Sequence, residues 1–285
     1  MHFKNSITMV NYNGDLLSIE NLNISLNNRG FKYGDSIFET IKIQNNKVIF
    51  WEDHYFRLMS SMRMLRMKIP LQFTLEFLEQ EIIRTVKAND LEKGARVRLN
   101  VFRKDGGFYT PLSNSINYTI EVAAIKTATK NKYSIDVFKD FYNFSGLLST
   151  VKTNNRMVNT LASIYAKEND LDNCVLVNER KGVVEVANGN IFILKGNTIK
   201  TPAIEEGCIK GIVRKKIIDI ISKNEEYTIE ETSISPFEIQ KAEEVFITNA
   251  IIGVQPVTNY KKKTFSIDFG TKIAKSLKVL EFTGN

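Results

Sequence analysis

Lysine is the residue type that best accounts for any chemistry this chain performs. The sequence contains two histidines, His2 and His54, and neither has partners at metal-ligand spacing, so we predict no metal site. It has no G-x-S-x-G elbow, no Walker A loop and no G-x-G-x-x-G motif, which removes the usual supports for serine hydrolysis, nucleotide hydrolysis and nicotinamide chemistry. An amine remains, because a lysine can form a Schiff base with a carbonyl cofactor without a histidine.

A phosphorylated pyridine aldehyde would need a lysine, a carboxylate beside its ring nitrogen and an anion cradle. Lys152, in "STVKTNNRMVNTLAS", directly precedes a segment with helical periodicity. Glu185 lies in "VVEVANGNIF", whose apolar residues predict a buried strand, where an unpaired carboxylate would cost several kcal/mol. A cationic ring nitrogen would satisfy it. A solvent-facing glutamate on an edge strand is the alternative, and the segment alone does not decide between them.

The strongest candidate for the phosphate cradle lies at Gly211, where a loop meets the amphipathic pattern "GIVRKKIIDIISKN". The N–H groups of Ile212 and Val213 would begin this helix, and a helix N-terminus favours an anion. A glycine required only for the turn is the alternative. Polar side chains that complete the candidate cradle are Thr248 and Asn249 in "VFITNA" and Arg57 in "HYFRL", for which a surface salt bridge is the alternative role.

Several elements are predicted around these residues. Turn residues at Asn13-Gly14 and Asn45-Asn46 predict two hairpins. Alternation predicts strands at 95–103 and 116–125, with Arg96 and Arg98 on the face opposite Val97 and Leu99. Periodicity also predicts helices at 52–68 and 74–89, a strand at "EEVFITNA", and a terminal helix from about Thr271.

These elements predict an α+β fold with two domains. The first domain, residues 1–125, carries a mostly antiparallel sheet, and residues 134–285 form a larger domain of mixed strands and helices that contains Lys152. The polar segment 126–133, "KTATKNKY", lacks periodicity and is the predicted linker.

Composition excludes several classes of protein. The chain has 285 residues, 43% of them hydrophobic, without an apolar run long enough to span a membrane. The net charge is +7, but the basic residues are dispersed along the sequence and no aromatic residues alternate with them to stack on bases. We therefore predict that the protein attracts anionic metabolites rather than nucleic acid. Two cysteines form no disulfide framework, which together with the polar N-terminus indicates the cytoplasm.

The motifs of this sequence, taken in order, resemble those of a known protein family. They run "NRGFKYGDSIFETIKI", "HYFRL", "VKTNNRMVNTLAS", "VVEVANGNIF", "TP", "GCIKGIVR" and "VFITNAIIGVQPV", which together cover nearly the whole chain. In this order the chain resembles the class IV aminotransferases, the pyridoxal-phosphate enzymes of fold type IV. That family includes branched-chain aminotransferases, D-amino acid aminotransferases and aminodeoxychorismate lyases.

The resemblance implies a role for each candidate residue. It makes Lys152 the Schiff-base lysine and Glu185 the partner of the pyridine nitrogen of pyridoxal 5'-phosphate. It implies that Arg57, Thr248 and the backbone of the helix that follows Gly211 bind the phosphate, with the cofactor lying between the two domains. It also implies a homodimer.

The substrate is less constrained. We expect an aminotransferase for a small amino acid and a 2-keto acid; an aminodeoxychorismate lyase that releases pyruvate and 4-aminobenzoate is the alternative, and a non-catalytic binding protein on the same fold is a third. Branched-chain enzymes carry a tyrosine where this chain has Met157, and the loop "KDGGFYTP" lacks the arginine of D-amino acid enzymes. The candidate substrate contacts are Tyr33, Phe38, Arg96, Arg98 and Arg103, with solvent-facing strand charge as the alternative role of the arginines.

Overall fold

The computed structural model describes residues 8–126 and 128–283, whose contacts divide them into two compact units. The described part of the first unit is residues 8–126 together with Lys152–Asn155, although the predicted boundaries place Lys152 in the second domain. The second unit comprises residues 128–151 and 156–283. His2 and position 127 of the predicted linker lie outside the described residues. Both units combine helices with sheets, which confirms the α+β prediction.

The first unit is built on a six-stranded sheet in the order β2-β1-β6-β5-β3-β4, in which every pair is antiparallel. The predicted hairpins are present: Asn13 and Gly14 have φ of 55° and 100°, and Asn45 and Asn46 have φ of 49° and 60°, the left-handed values that tight hairpins require. The strands are β1 (Met9–Tyr12), β2 (Asp15–Ser18), β3 (Ser36–Gln44), β4 (Lys47–Val48), β5 (Gly94–Arg103) and β6 (Ile116–Ala124).

Three helices accompany this sheet: α1 (Arg29–Tyr33), α2 (Trp51–Met64) and α3 (Leu75–Lys87). Thr74 caps α3 by accepting a hydrogen bond from the N–H of Phe77, and α3 buries its apolar stripe against the sheet. Helix α2 packs on β3 and ends earlier than the predicted 68, because the chain leaves helical geometry at Leu65 and Arg66 has a φ of 57°.

The second unit contains two five-stranded sheets, ordered β12-β11-β10-β13-β14 and β16-β15-β7-β8-β9. Parallel pairs occur at β11–β12, β7–β8 and β7–β15, and apolar side chains of both sheets form one core. The strands are β7 (Ser134–Val137), β8 (Asn173–Val177), β9 (Val183–Val186), β10 (Asn190–Lys195), β11 (Thr198–Pro202), β12 (Thr228–Thr232), β13 (Glu244–Asn249), β14 (Gly253–Val257), β15 (Asn259–Tyr260) and β16 (Lys263–Thr264).

Four helices cover these sheets: α4 (Met157–Glu168), α5 (Ile212–Ser222), α6 (Pro236–Lys241) and α7 (Asp268–Thr283). Helix α4 packs on β8, whereas α5 and α7 pack together and both contact β13. The buried carboxylate of Glu244 fixes the start of α7 by accepting the N–H groups of Phe269 and Gly270 at 2.9 and 3.0 Å. Within residues 8–126 and 128–283, none of the helices combines the length and apolar character needed to cross a bilayer.

Candidate active site

Strand β3, rather than a helix, fixes the backbone at Lys152. We expected the helix to begin directly after the lysine, but α4 begins at Met157. The carbonyl of Lys152 accepts a hydrogen bond from the N–H of Phe38 at 2.9 Å, and Thr153 forms an antiparallel bridge with Ile37. The expected role of the helix was therefore wrong, because backbone pairing with β3 holds the lysine instead.

The side chains of Lys152 and Arg98 both contact the aromatic ring of Phe38. The Nζ atom of Lys152 is 4.4 Å from the centroid of the Phe38 ring, and the Cζ atom of Arg98 is 3.9 Å from the same centroid. Arg98 also donates from Nη2 to Oδ1 of Asn154 at 2.8 Å. The structure thus brings three predicted site residues together and places a lysine amine and a guanidinium on one platform.

Partial burial lowers the pKa of Arg98, with Glu121 acting in the opposite direction. A guanidinium stays protonated near neutral pH even so, because its ordinary pKa lies far above 7. Two cations beside one ring attract an anion, and a planar guanidinium matches a carboxylate in geometry. Arg98 can therefore bind the carboxylate of an amino acid next to the ring that the lysine amine also contacts.

Arg57 lies on α2 and forms an ion pair that sequence reasoning missed. Its Nε atom donates to Oε1 of Glu39 at 2.7 Å, and its Nη2 atom donates to Oε2. Oε2 of Glu39 also contacts Nδ1 of His54 at 2.7 Å. The alternative of a surface salt bridge is wrong for Arg57, because Glu39 is only 1% exposed.

The electrostatics of this group follow from its burial. Burial opposes ionisation of Glu39, but the charge of Arg57 and hydrogen bonds from His54 and Arg57 hold the Glu39 pKa at about 2. Burial lowers the pKa of His54, and the nearby Glu39 carboxylate partly offsets this effect. The signal for Glu39 was visible in the sequence, since it interrupts the buried alternation Ile37, Ile41, Ile43 of β3.

The other predicted substrate residues of the first unit have separate surroundings. Arg96 shares the half-buried face of β5 with Arg98, as predicted, opposite the buried Val97. Tyr33 lies on α1, and the centroid of its ring is 4.9 Å from Cζ of Arg29. Their contacts with a substrate stay predictions.

Arg103 is buried, and its guanidinium donates hydrogen bonds to side chains and to a backbone carbonyl. It donates from Nε to Oδ2 of Asp35 at 2.9 Å, from Nη2 to the carbonyl of Leu65 at 2.8 Å and from Nη1 to Asn114 at 2.6 Å. Arg29, which we had not singled out, donates to the same Asp35 oxygen at 2.8 Å and to the carbonyl of Phe108 at 2.6 Å. These contacts favour a structural role for Arg103 and exclude the alternative of a solvent-facing strand charge.

Glu185 lies on β9 in the second unit and is 4% exposed, although β9 forms a sheet edge. The alternative of a solvent-facing glutamate is therefore wrong. Its Oε2 atom accepts the N–H of Ile209 at 3.0 Å. A buried carboxylate of this kind suits a protonated ring nitrogen, since burial strengthens the interaction between opposite charges.

The start of α5 has the features of an anion site. Gly211 is the N-cap and supplies no side-chain hydrogen bond to the first turn, which contains Ile212 and Val213. A Cβ atom at Gly211 would lie 2.0 Å from Oδ1 of Asn190, so close packing requires the glycine here. Nδ2 of Asn190 in turn donates to the carbonyl of Ile209 at 2.9 Å, which positions the loop before the helix.

Thr248 and Asn249 end strand β13, which packs against α5. Thr248 is 1% exposed, and its hydroxyl has no hydrogen-bond partner among the residues described. Asn249 instead uses its side chain in a turn, where Oδ1 accepts the N–H of Ile251 and Ile252 at 3.1 and 2.9 Å. A buried hydroxyl that lacks a partner, an uncapped helix start and a buried carboxylate fit a phosphorylated pyridine.

Metal chemistry has no comparable support. Among the described residues no three His, Cys, Asp or Glu side chains lie close enough to hold a metal ion. Cys174 and Cys208 are free and buried, and burial raises the pKa of each thiol to about 12.

Comparison with known proteins places these features in a family. Residues 36–260 match the model of the family described as amino-transferase class IV. A putative branched-chain-amino-acid aminotransferase of Methanocaldococcus jannaschii is 28% identical over 93% of this chain and 92% of its own. An aminodeoxychorismate lyase of Vibrio harveyi is 23% identical over 86% of this chain and 90% of its own.

A solved structure agrees in fold. The branched-chain amino acid aminotransferase of Thermobaculum terrenum in its PLP form superposes with a TM-score of 0.85 at 19% identity, over 98% of this chain and 95% of that chain. The predicted fold type IV architecture is therefore confirmed. Class IV aminotransferases are pyridoxal-phosphate enzymes, and within the second unit the buried Glu185, the Thr248 hydroxyl and the first turn of α5 fit the chemistry of that cofactor. By its family match and its fold, the chain belongs to the class IV aminotransferases.

Proposed function

We propose that this protein transfers an amino group between a small amino acid and a 2-keto acid, with Lys152 as its catalytic residue. The observation that carries the proposal is the contact of two basic groups with the ring of Phe38. Nζ of Lys152 lies 4.4 Å and Cζ of Arg98 lies 3.9 Å from the centroid of this ring, called here the Phe38 platform. Both substrates of a transamination carry a carboxylate beside the reacting carbon. An arginine close to the lysine supports binding of such substrates in one orientation.

In this proposal Lys152 moves the proton. Its amine, once neutral, accepts the proton from the alpha carbon of the amino acid and later delivers a proton back as a general acid. Pyridoxal phosphate supplies the electron sink that makes this proton acidic enough to remove. Arg98 holds the substrate carboxylate during both transfers, so that the alpha proton points at the amine.

Residues of the second unit are proposed to hold the cofactor. Glu185 keeps a proton on the ring nitrogen, since an ionised buried carboxylate favours a cation beside it. The N–H groups of Ile212 and Val213 and the hydroxyl of Thr248 donate to the phosphate, and Gly211 allows the loop to approach. Asn249 shapes the turn after β13 and donates from Nδ2 to the carbonyl of Asn188, and its contact with the cofactor stays a prediction.

Some properties follow from the family resemblance and stay predictions. They are a homodimer and a cytoplasmic location. Selectivity for small rather than branched-chain amino acids is also part of the proposal, supported by Met157 at the position where branched-chain enzymes carry tyrosine.

The proposal is tested by labelling and by turnover. The protein, incubated with pyridoxal phosphate and reduced with borohydride, is expected to carry the label on the peptide that contains Lys152. Lys152→Ala is expected to reduce transamination about a thousandfold, the range for loss of a general acid-base group. The exposed Lys139 supplies the control variant Lys139→Ala, which should retain activity. A label on another lysine, or normal turnover by Lys152→Ala, contradicts the assignment.

Release of pyruvate and 4-aminobenzoate is the second candidate function, favoured by one feature of β3. Thr40 pairs in register with Arg98 and lies on the same strand face as Phe38, so its hydroxyl is on the platform side of the sheet. A threonine near this position assists some lyases of the family. The two functions separate by their co-substrate, because fluorescent 4-aminobenzoate forms without a keto acid whereas transamination requires one.

A further inference from the structure

Glu39 occupies a position where a carboxylate is costly. It lies on the core face of β3 between Ile37 and Ile41, and all three residues are at most 1% exposed. An ionised carboxylate in such surroundings costs several kcal/mol unless it is paired and hydrogen-bonded. An apolar residue would continue the buried stripe at no such cost, so packing alone does not account for a glutamate here.

Two side chains of α2 compensate the charge. Arg57 contacts both carboxylate oxygens through its Nε and Nη2 atoms, and His54, three residues earlier on the same helix face, contacts Oε2 at 2.7 Å. Because an ionised carboxylate only accepts hydrogen bonds, this contact requires the proton of His54 on Nδ1.

This arrangement fixes the plane of the Arg57 guanidinium. A two-pronged pair allows one orientation of the fork, whereas a single contact leaves the group free to rotate. His54 adds a further contact to Oε2, which restrains the carboxylate from turning with the arginine. The three side chains, called here the Glu39 triad, form one rigid unit between β3 and α2.

We propose that Glu39 is a positioning residue, with His54 as its support, that orients Arg57 to bind the phosphate of the cofactor. The inference rests on the proposed function, in which Arg57 is a phosphate ligand. It adds a specific expectation: loss of the Glu39 carboxylate weakens recognition of the phosphate group and leaves recognition of the pyridine aldehyde unchanged.

The test compares two ligands that differ only in the phosphate. The full-length apo-protein is titrated with pyridoxal phosphate and with pyridoxal, followed by ligand absorbance and by emission of Trp51, the one tryptophan of the sequence. Glu39→Gln is expected to weaken pyridoxal phosphate binding about tenfold, in the range of a lost charge-assisted hydrogen bond, and to change pyridoxal binding by less than about twofold. Arg57→Gln is expected to give the same pattern.

A matched control comes from the same unit. Glu81 accepts hydrogen bonds from Asn11 at 2.7 Å and from Arg84 at 2.8 Å, so Glu81→Gln also neutralises a paired glutamate. It is expected to leave both affinities unchanged. If Glu39→Gln does not fold, Glu39→Asp retains the charge but shortens the side chain, and it should give the same phosphate-specific loss.

The outcomes separate the inference from the proposed function. Wild-type protein that binds both ligands equally would contradict the phosphate site itself. Wild-type preference for pyridoxal phosphate that Arg57→Gln reduces and the Glu39 variants preserve would overturn the positioning role. Equal weakening of both ligands by the Glu39 variants would also overturn it, since a general structural defect does not distinguish a phosphate.

Discussion

Replacing Thr248 by valine is expected to stabilise the apo-protein and to weaken its affinity for pyridoxal phosphate. The Thr248 hydroxyl is buried and has no partner within the described part of the chain. A buried polar group without a partner costs about 1–3 kcal/mol, and valine removes it while nearly keeping the shape. We therefore expect the free energy of unfolding of the apo-protein to rise by about 1 kcal/mol.

The same substitution removes a proposed phosphate donor. Loss of one hydrogen bond to a charged group weakens binding by about 1.5 kcal/mol, or roughly tenfold in Kd. Urea unfolding of the apo-protein measures the first effect, and equilibrium titration with pyridoxal phosphate measures the second. An increase in stability together with a loss of affinity is what identifies a ligand-binding hydroxyl.

Thr201 provides the matched control. It is equally buried in the same unit, but its hydroxyl donates to the carbonyl of Ile191 at 2.9 Å. Thr201→Val should therefore destabilise the apo-protein by about 1 kcal/mol, since it breaks a satisfied hydrogen bond. The reasoning is refuted if Thr248→Val destabilises the apo-protein as much as Thr201→Val does, or if it leaves the affinity for pyridoxal phosphate unchanged.

Three further predictions follow from other sites. Glu185→Gln should lower kcat about 10- to 100-fold with the fold retained, because a neutral amide does not hold a proton on the ring nitrogen; steady-state kinetics checks this, and an unchanged kcat contradicts it. The Glu39 pKa of about 2 lies below its ordinary value of 4.5, so the folded state binds fewer protons and stability should fall as the pH drops from 4.5 towards 2. Thermal unfolding should show a smaller loss over that range in Glu39→Gln than in wild type, and equal losses would contradict the pairing. Arg103→Met should cost about 3 kcal/mol in urea unfolding, because it removes a buried guanidinium that donates to Asp35, to Asn114 and to the carbonyl of Leu65. A raised KM at unchanged stability would instead support the predicted role of Arg103 in substrate binding.

Local patterns in the sequence were enough to predict most elements. The Asn13-Gly14 hairpin, the alternation of β5 and the start of α5 after Gly211 depend on residues close together in the chain. Each element also agrees with the physical preference that predicted it, since positive φ suits Asn and Gly and burial alternates along a strand. The end of α2 was misplaced, because Arg66 is one of the uncommon non-glycine residues with left-handed backbone and composition gives no sign of this.

The order of the motifs also predicted the family, which the comparisons confirm, and it made Lys152 and Glu185 the site candidates, while the tertiary structure determined what surrounds them. Lys152 is held by β3, more than 100 residues earlier, and Arg57 pairs with Glu39, 18 residues away. Asp35 accepts hydrogen bonds from Arg29, six residues earlier, and from Arg103, 68 residues later. Periodicity reports only which face of an element is buried, whereas the partner of a buried charge is set by packing between distant elements. For this reason the residue types with reactive groups could be found in the sequence, but the contacts that orient them could be found only in the folded chain.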